Sequence, residues 1–395
     1  MSASHVSSGP MMERRVDGTA HRVYRARVHW PSLFSGSSAA YRTTVTGHRD
    51  RLRDSVRSRA AARVQPGLLR GAGSLQLPPG PRLKPGTVSG YGIDMRAKAE
   101  NPRWPQDWMI LGGGGHPDGT VERIGSVMAE RLVYVAAIQW GLGCFERYLA
   151  GEGAPWLDGA VKAGRYLVSA QAQGGRHDGG WVHRFAFPHT YPLSFPWVSA
   201  MAQGEGASLL VRLHHLTGDT VFADAALRAL KPLRVPVASG GTRARLGNGA
   251  FLEEYPTDPP SLVLNGAFFA LWGLHDVGAG LGDGLAAAEF EDGVDVLARE
   301  LHRWDMGFWS RYDLFPHRVP NVANPFYHRL HINLLRSMSV LAPRPQFDEA
   351  IERFEAYGRS SRNVMRAYGY KLLFRAVSPR RSSLRRVLPW SPSLD

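Results

Sequence analysis

From about residue 125 onward, apolar positions recur at the three-and-four spacing of helices, broken by short turns rich in Gly, Pro and Asp. Met128–Leu149 reads as a long apolar helix. Pro155-Trp156 opens a second, with Leu157, Ala160, Val161, Tyr166 and Leu167 at helical spacings. Further helices are predicted at about 196–217, 220–231, 260–279, 285–303, 325–342, 346–358 and 363–375. The run Leu216-Thr217-Gly218-Asp219 is typical of the turns between them, a glycine closing one helix and an aspartate capping the next. Strand signals are few: a hairpin at Trp181–Phe187 and short pieces around Ala250–Glu253. Successive helical hairpins with a few short strands predict an all-α-dominated fold, an incomplete α/α barrel or toroid. A solenoid is the alternative, but no strict repeat of solenoid length recurs.

Residues 1–85 lack sustained periodicity and are rich in Arg, Ser, Gly and Pro. They read as a basic, mostly disordered segment with one short helix near Asp50–Arg63 and a linker at Pro78, Pro79, Pro81 and Pro85. A folded domain is expected over 86–376, opening with Tyr91–Lys98, and a basic tail over 377–395. The formal charge of +14 follows this division. Residues 1–100 hold 17 Lys/Arg against 6 Asp/Glu, and residues 360–395 hold 8 against 1, while the body between them holds 23 against 27. Two basic ends on a neutral body suit either solvated tails or contact with a polyanion or acidic membrane surface. The pairs Arg380-Arg381 and Arg385-Arg386 show no regular face, and no organised basic patch with interleaved aromatics points to nucleic acid.

Cys144, the one cysteine, excludes an intrachain disulfide and a thiolate zinc cage, and its apolar setting reads as core. No run of about 18 apolar residues and no apolar signal-peptide core is present in the sequence, so the expectation is a cytoplasmic protein, at most peripheral to a membrane. Gly112–Gly115 lacks the Lys-Ser/Thr of a phosphate loop and reads as a turn. His214 and His215 diverge by about 100° on a helix, a poor metal pair. No metal or cofactor is expected.

Three helix starts look alike: Ser194-Phe195-Pro196, Thr257-Asp258-Pro259 and Asn324-Pro325 each set a capping residue at or just before a proline. In a toroid, inner-helix N-termini converge on one mouth, where unpaired amides favour anions. Tyr327, His331, Leu334, Leu335 and Met338 share one face of the third helix, polar at its start and apolar deeper in. A cleft-lining pair and a core Tyr and His with satisfied hydrogen bonds are both consistent with that face.

The motifs within this frame resemble the D-glucuronyl C5-epimerase family. They are Glu253-Glu254-Tyr255-Pro256-Thr257, Leu264-Asn265-Gly266 and Gly273-Leu274-His275-Asp276, preceded by Ser199-Ala200-Met201-Ala202-Gln203-Gly204 and Leu210-Val211-Arg212. Tyr312-Asp313-Leu314 and Tyr327-His328-Arg329-Leu330-His331-Ile332-Asn333 follow, and Tyr91–Lys98 is similar to the start of bacterial members. The resemblance spans roughly 90–360. It implies an isomerase that inverts C5 of glucuronate within an anionic polysaccharide, a glycosaminoglycan such as heparosan, to give iduronate or a related epimer.

Carried over residue by residue, the resemblance makes Tyr255, Tyr312 and Tyr327 catalytic, with Glu254 beside the first. It points to Gln203, Asn265, Arg329, His331 and Asn333 as substrate contacts. Animal members have Arg directly after the Tyr-Asp-Leu triplet, where Phe315 stands here, so His317 or Arg318 is expected to take over that charge; the spacing from Tyr312 to Tyr327 is also shorter. Animal members further carry a membrane anchor and N-terminal β-structure, neither of which is read in this chain. Trp181, in the run Arg176–Trp181, is either a stacking face for a sugar ring or a structural tryptophan. The oligomeric state is open between a monomer and a homodimer.

Elementary chemistry is compatible with such groups. Removing the C5 proton beside a carboxylate builds a second negative charge, and inversion needs a proton delivered to the opposite face, so two acid/base groups must flank the ring. A phenol with a reference pKa near ~10 must gain roughly 4 kcal/mol to serve as a base at neutral pH. A helix N-terminus supplies ~0.5–2 kcal/mol; Arg329, or imidazolium at His328 or His331, is expected to supply the rest. Tyr312 and Tyr327 are read as the opposed pair, with Tyr255 and Glu254 positioning or relaying protons. Two rivals remain: a polyuronate lyase sharing the proton abstraction, and a non-catalytic glycan-binding module.

Overall fold

The computed structural model describes residues 80, 83–103, 134–184 and 189–379, all within the unit Ala62–Asp395. The expected N-terminal segment and its helix at 50–63, the Gly112–Gly115 turn, the first residues of the helix from Met128, Phe185–Phe187 of the expected hairpin and the paired arginines of the tail lie outside the described residues.

Nine helices longer than two turns are described: α1 (Tyr134–Leu149), α2 (Ala154–Ala170), α3 (Ala200–Thr217), α4 (Thr220–Ala229), α5 (Leu264–Leu281), α6 (Gly284–Glu300), α7 (Pro325–Leu341), α8 (Pro345–Arg359) and α9 (Ser361–Val377). Their ends follow the predicted punctuation. Gly218 takes the left-handed conformation that ends α3, and the Asp219 carboxylate then caps α4 at the Val221 amide.

The odd-numbered helices α1, α3, α5 and α7 pack side by side as an inner row, and α2, α4, α6 and α8 each lie against the inner helix that precedes them. Among the described residues the row does not close into a barrel, and the fold is helix-dominated with few short strands, as the hairpins predict. Burial separates the two layers. Every residue of α3 from Ala200 to Leu213, and of α5 from Leu264 to Val277, is buried, whereas α8 buries only Phe347, Ala350 and Phe354. Helices enclosed on all sides read as apolar all round, and those with one covered face read as amphipathic. At the α3–α5 crossing the main chains touch: a Cβ on Gly273 would stand 2.4 Å from Gly204 Cα, so two glycines set this spacing.

Two small antiparallel ribbons complete the body. β1 (Val182–His183) pairs with β2 (Trp197–Val198), and β3 (Arg243–Leu246) pairs with β4 (Gly249–Leu252) across a Gly247-Asn248 turn. Of the expected hairpin at Trp181–Phe187, the described part pairs at longer range, Val182 with Val198 and His183 with Trp197.

The shared helix-start signature holds at one place of three. Asn324 accepts from the Tyr327 amide at 2.9 Å with Pro325 in the first turn, as expected. Pro196 precedes β2 instead, and α3 starts four residues later under a Ser199 cap. Pro259 lies in a loop, and α5 starts at Leu264. A buried carboxylate explains the second shift. Glu253 accepts from the Ser261 hydroxyl and from the Leu262 amide at 3.0 Å, and Leu262 sits at φ 52°, outside helical space. Those bonds hold 253–262 as a loop wound around one side chain.

Candidate active site

The N-terminal ends of three inner helices are sealed by the segments that carry the sequence motifs. The first amide of α3, Ala200, donates to the Glu253 carbonyl at 2.9 Å. The first amide of α5, Leu264, donates to the Tyr312 carbonyl at 3.2 Å, which replaces a side-chain cap that Val263 cannot give. Tyr312 in turn is held by its own amide on the Asn321 carbonyl at 2.8 Å, and the Ala323 amide on the Ser310 carbonyl leads directly into α7. Satisfying orphan helix amides therefore also fixes where Glu254, Tyr255, Tyr312 and Tyr327 stand.

These four side chains meet. The Tyr255 phenol lies between the Glu254 carboxyl and the Tyr312 phenol and interacts with both. Asn265, in the first turn of α5, donates to Glu254 Oε2 at 3.1 Å. Gly266 leaves the space: a Cβ there would stand 2.5 Å from Glu254 Cβ. The Tyr327 ring meets the Tyr312 ring edge to face, 4.8 Å between centroids. His189 lies over the cluster, its ring 4.9 Å from Tyr255, 4.0 Å from Tyr191 and 6.4 Å from Tyr312.

A second polar group backs Tyr312. Asp313 is fully buried and accepts from the Tyr191 hydroxyl at 2.7 Å and from the Asn321 amide. Its other oxygen faces His317 Nε2 at 3.7 Å. The Lys371 ammonium, from α9, donates to Asn321 Oδ1 at 2.7 Å and to the Val322 carbonyl at 2.8 Å, and lies 5.9 Å over the Tyr312 ring.

Burial shapes the electrostatics. Desolvation pushes the Glu254 carboxyl up to about 7, although its bonds to Tyr255 and Asn265 favour the charged form. The Tyr255 and Tyr312 phenols are raised well above the ordinary tyrosine range, first by burial and then by the charge of Glu254. The group that titrates near neutrality here is a carboxyl joined to two phenols.

Residues 175–356 match the family model described as the D-glucuronyl C5-epimerase C-terminus. This stretch is similar to the C-terminal part of that family. A D-glucuronyl C5-epimerase of Caenorhabditis elegans is 31% identical over 202 residues, covering 47% of this chain and 33% of that protein. An uncharacterized protein of Methanocaldococcus jannaschii is 31% identical over 155 residues, 38% of this chain and 49% of that protein. The chain thus matches between a third and a half of the length of these relatives.

Around this matched stretch, the expected site residues divide. Glu254, Tyr255, Asn265, Tyr312 and Tyr327 come together, and His317 reaches the cluster through Asp313 and Tyr191, its ring 5.7 Å from Tyr191. Gln203 does not join it: its amide donates to the Gly179 and Ala229 carbonyls and accepts from the Trp181 amide, all within the fold. Trp181, offered as a stacking face, is completely buried; its indole donates to the Leu167 carbonyl and its ring packs against Gly206. Arg318 and Arg329 are exposed, and Asn333 faces Arg336 at 3.4 Å further along α7.

His331 and His328 are buried under α7, both bonded through Nδ1 to the Ser310 hydroxyl. Burial holds His331 down to about 3 and His328 to about 4, so both are neutral at pH 7 and neither supplies the expected imidazolium. The cation that does approach is Lys371, which stands in α9, beyond the matched stretch. Sequence reasoning missed Lys371, His189, Tyr191 and the buried role of Asp313. The Pro188-His189-Thr190-Tyr191-Pro192 run, aromatic residues between two prolines, is the signal that pointed to two of them.

Among the described residues, no three His, Cys, Asp or Glu side chains gather as metal ligands. His214 and His215 bond separate carbonyls, those of Asp219 and Gly280. Cys144 is buried and its thiol is pushed up to about 12, a core residue as read from the sequence. A separate cleft of about 640 Å³ lies between the β3–β4 hairpin and α6, and none of its lining residues belongs to the tyrosine cluster.

Proposed function

We propose that this chain is an isomerase that inverts glucuronate at C5 within an anionic polysaccharide. The observation that carries the reading is the gathering of the Tyr312 and Tyr255 phenols beside the Glu254 carboxyl, with the Tyr327 ring against Tyr312. The similarity of the stretch that holds all four residues to the D-glucuronyl C5-epimerase C-terminus supports it.

In this reading Tyr312 takes the C5 proton as it passes its own phenolic proton to Tyr255, which passes one to Glu254. The C–H electron pair moves into the substrate carboxyl group and forms an enediolate. Tyr327 then delivers its phenolic proton to the opposite face of C5, and the electron pair returns to form the new C–H bond. Solvent exchange resets the proton on Glu254 and the phenolate on Tyr327. Moving a proton from a buried phenol to a carboxyl near 7 costs at least roughly 4 kcal/mol, which is modest beside an enzymatic barrier. Lys371 lowers that cost by facing the phenolate face of Tyr312. The exposed Arg318 and Arg329 are placed to meet carboxylates of neighbouring sugar units.

The test is proton NMR of heparosan and related glucuronans after incubation with the full chain in deuterated buffer. Loss of the C5 proton signal with appearance of the epimer is expected. Retention of every C5 proton would sink the proposal, as would ultraviolet absorbance from an unsaturated uronate, the mark of a lyase.

A further inference from the structure

Helix α9 carries apolar residues on two sides. Ala367 and Phe374 are buried, and Val364 and Tyr370 pack against the cluster of Phe308, Trp309 and Tyr312. The opposite side is open to solvent: Met365 is 70% exposed, Leu372 60%, Leu373 51% and Val377 44%. Met365, Leu372 and Leu373 fall at i, i+7 and i+8 and so form one stripe, with Val377 at its edge. Four large apolar side chains gathered on one short helix are an interaction surface and differ from scattered surface leucines.

Charge says what covers it. Arg362 and Arg366 are exposed beside the stripe, and residues 361–394 contain eight Lys/Arg and no Asp or Glu. Four of the eight, Arg380, Arg381, Arg385 and Arg386, follow the helix in sequence, interleaved with Leu384, Val387, Leu388 and Trp390. A second copy docked by two-fold symmetry would set these arginines against themselves. A polysaccharide polyanion would satisfy the arginines but give the apolar stripe nothing to enter. A bilayer of anionic lipid answers both, with acyl chains for the stripe and headgroups for the flanking cations.

We propose that the outer face of α9 seats on an anionic lipid surface. The helix stays docked on the body through Ala367 and Phe374, so the contact needs no unfolding. Because Lys371 leaves the inner side of the same helix toward Tyr312, the surface stands about one helix diameter, roughly 10 Å, from the tyrosine cluster. This proposal is independent of the epimerase reading.

The experiment is flotation of the full chain with vesicles of phosphatidylcholine alone or mixed with phosphatidylglycerol, at low and high salt. Binding to the mixed vesicles is expected, weakened roughly tenfold or more by removing the anionic lipid and reduced by salt. The double variant Leu372→Asp/Leu373→Asp is expected to lose binding to a similar degree, with Met365→Asp as a milder second variant, and melting temperatures confirm that both fold. Absence of binding to the mixed vesicles overturns the proposal, and so does binding that the variants leave unchanged. A dimer seen by light scattering that the variants dissociate, without vesicle binding, would assign the face to self-association instead.

Discussion

Two amide side chains occupy comparable stations on neighbouring inner helices and have opposite fates. Gln203, in the first turn of α3, is fully buried and closed: two carbonyls accept from it, and the Trp181 amide donates to it. Asn265, in the first turn of α5, is 3% exposed; it donates to Glu254, and its carbonyl oxygen has no hydrogen-bond partner among the described residues. Leaving such an acceptor unsatisfied costs ~1–3 kcal/mol, so native folds close most of them. The amide that the fold closes ties the 179–181 turn to α3 and α4. The one left open stands beside a carboxyl near 7 and two phenols. The same chemistry at the same helical station is framework in one place and site in the other, and the partners decide which.

The sharpest way to break that contrast is to remove single oxygens on the open side. Tyr312→Phe and Tyr327→Phe each delete one hydroxyl while keeping the edge-to-face ring contact, so the fold should survive. C5 exchange into deuterated buffer is expected to fall by about 10³-fold or more in each, in line with losing an acid/base group. Exchange at the parental rate in Tyr327→Phe would remove it from the reaction.

Glu254→Gln comes next. The carboxyl must be ionised to receive a proton through Tyr255, and burial holds it near 7, so the parental rate is expected to climb as pH rises through about 7. The glutamine variant keeps the shape, still offers a carbonyl to Tyr255 and loses the base. A fall of roughly 10²-fold and a flattened pH profile below 8 are expected. A variant that is slow but keeps the parental profile would place the titrating group elsewhere.

On the closed side, the expected damage is to stability. Gln203→Ala strands the Trp181 amide and the Ala229 carbonyl and removes one of the two donors to the Gly179 carbonyl, the other being Gln171, a loss on the order of 3 kcal/mol. Denaturant unfolding should record it, while the folded fraction keeps its exchange rate. A variant of full stability and poor activity would move Gln203 into the site after all.

The reasons for these fates explain how far the sequence could be read. Helix positions were legible because the signals are local: Asn324 before Pro325, Gly218 after Thr217, and apolar periods between them. The start of α5 was not, because a buried carboxylate nine residues away in sequence, Glu253, holds Leu262 outside helical space. At the site, Glu254, Tyr255, Asn265, Tyr312 and Tyr327 could be named through motifs that resemble a family, since motif order survives without any knowledge of contacts. Gln203 comes from an equally recognisable motif and Trp181 from the polar run Arg176–Trp181, yet they bond each other and the backbone. A motif records that a residue matters and is silent on whether it serves packing or chemistry. The histidines of α7 show the same limit from the electrostatic side, because His331 is kept neutral by burial that no spacing on one helix reveals.

Lys371 is the smallest of the expected effects and tests where the open region ends. The residue lies in a helix outside the matched stretch, and its ammonium donates to Asn321 Oδ1 and to the Val322 carbonyl. Those two bonds set it 5.9 Å over the ring of Tyr312. Lys371→Met keeps most of the side-chain volume and removes the charge, so C5 exchange is expected to slow by about tenfold, the scale of a partly desolvated cation–ring contact. Lys371→Arg should restore part of that loss if charge is what matters. If instead the residue only splints Asn321, methionine will lower the melting temperature and leave the exchange rate of the folded protein untouched. In that case the site would end with the tyrosines, and α9 would belong to the framework with Gln203.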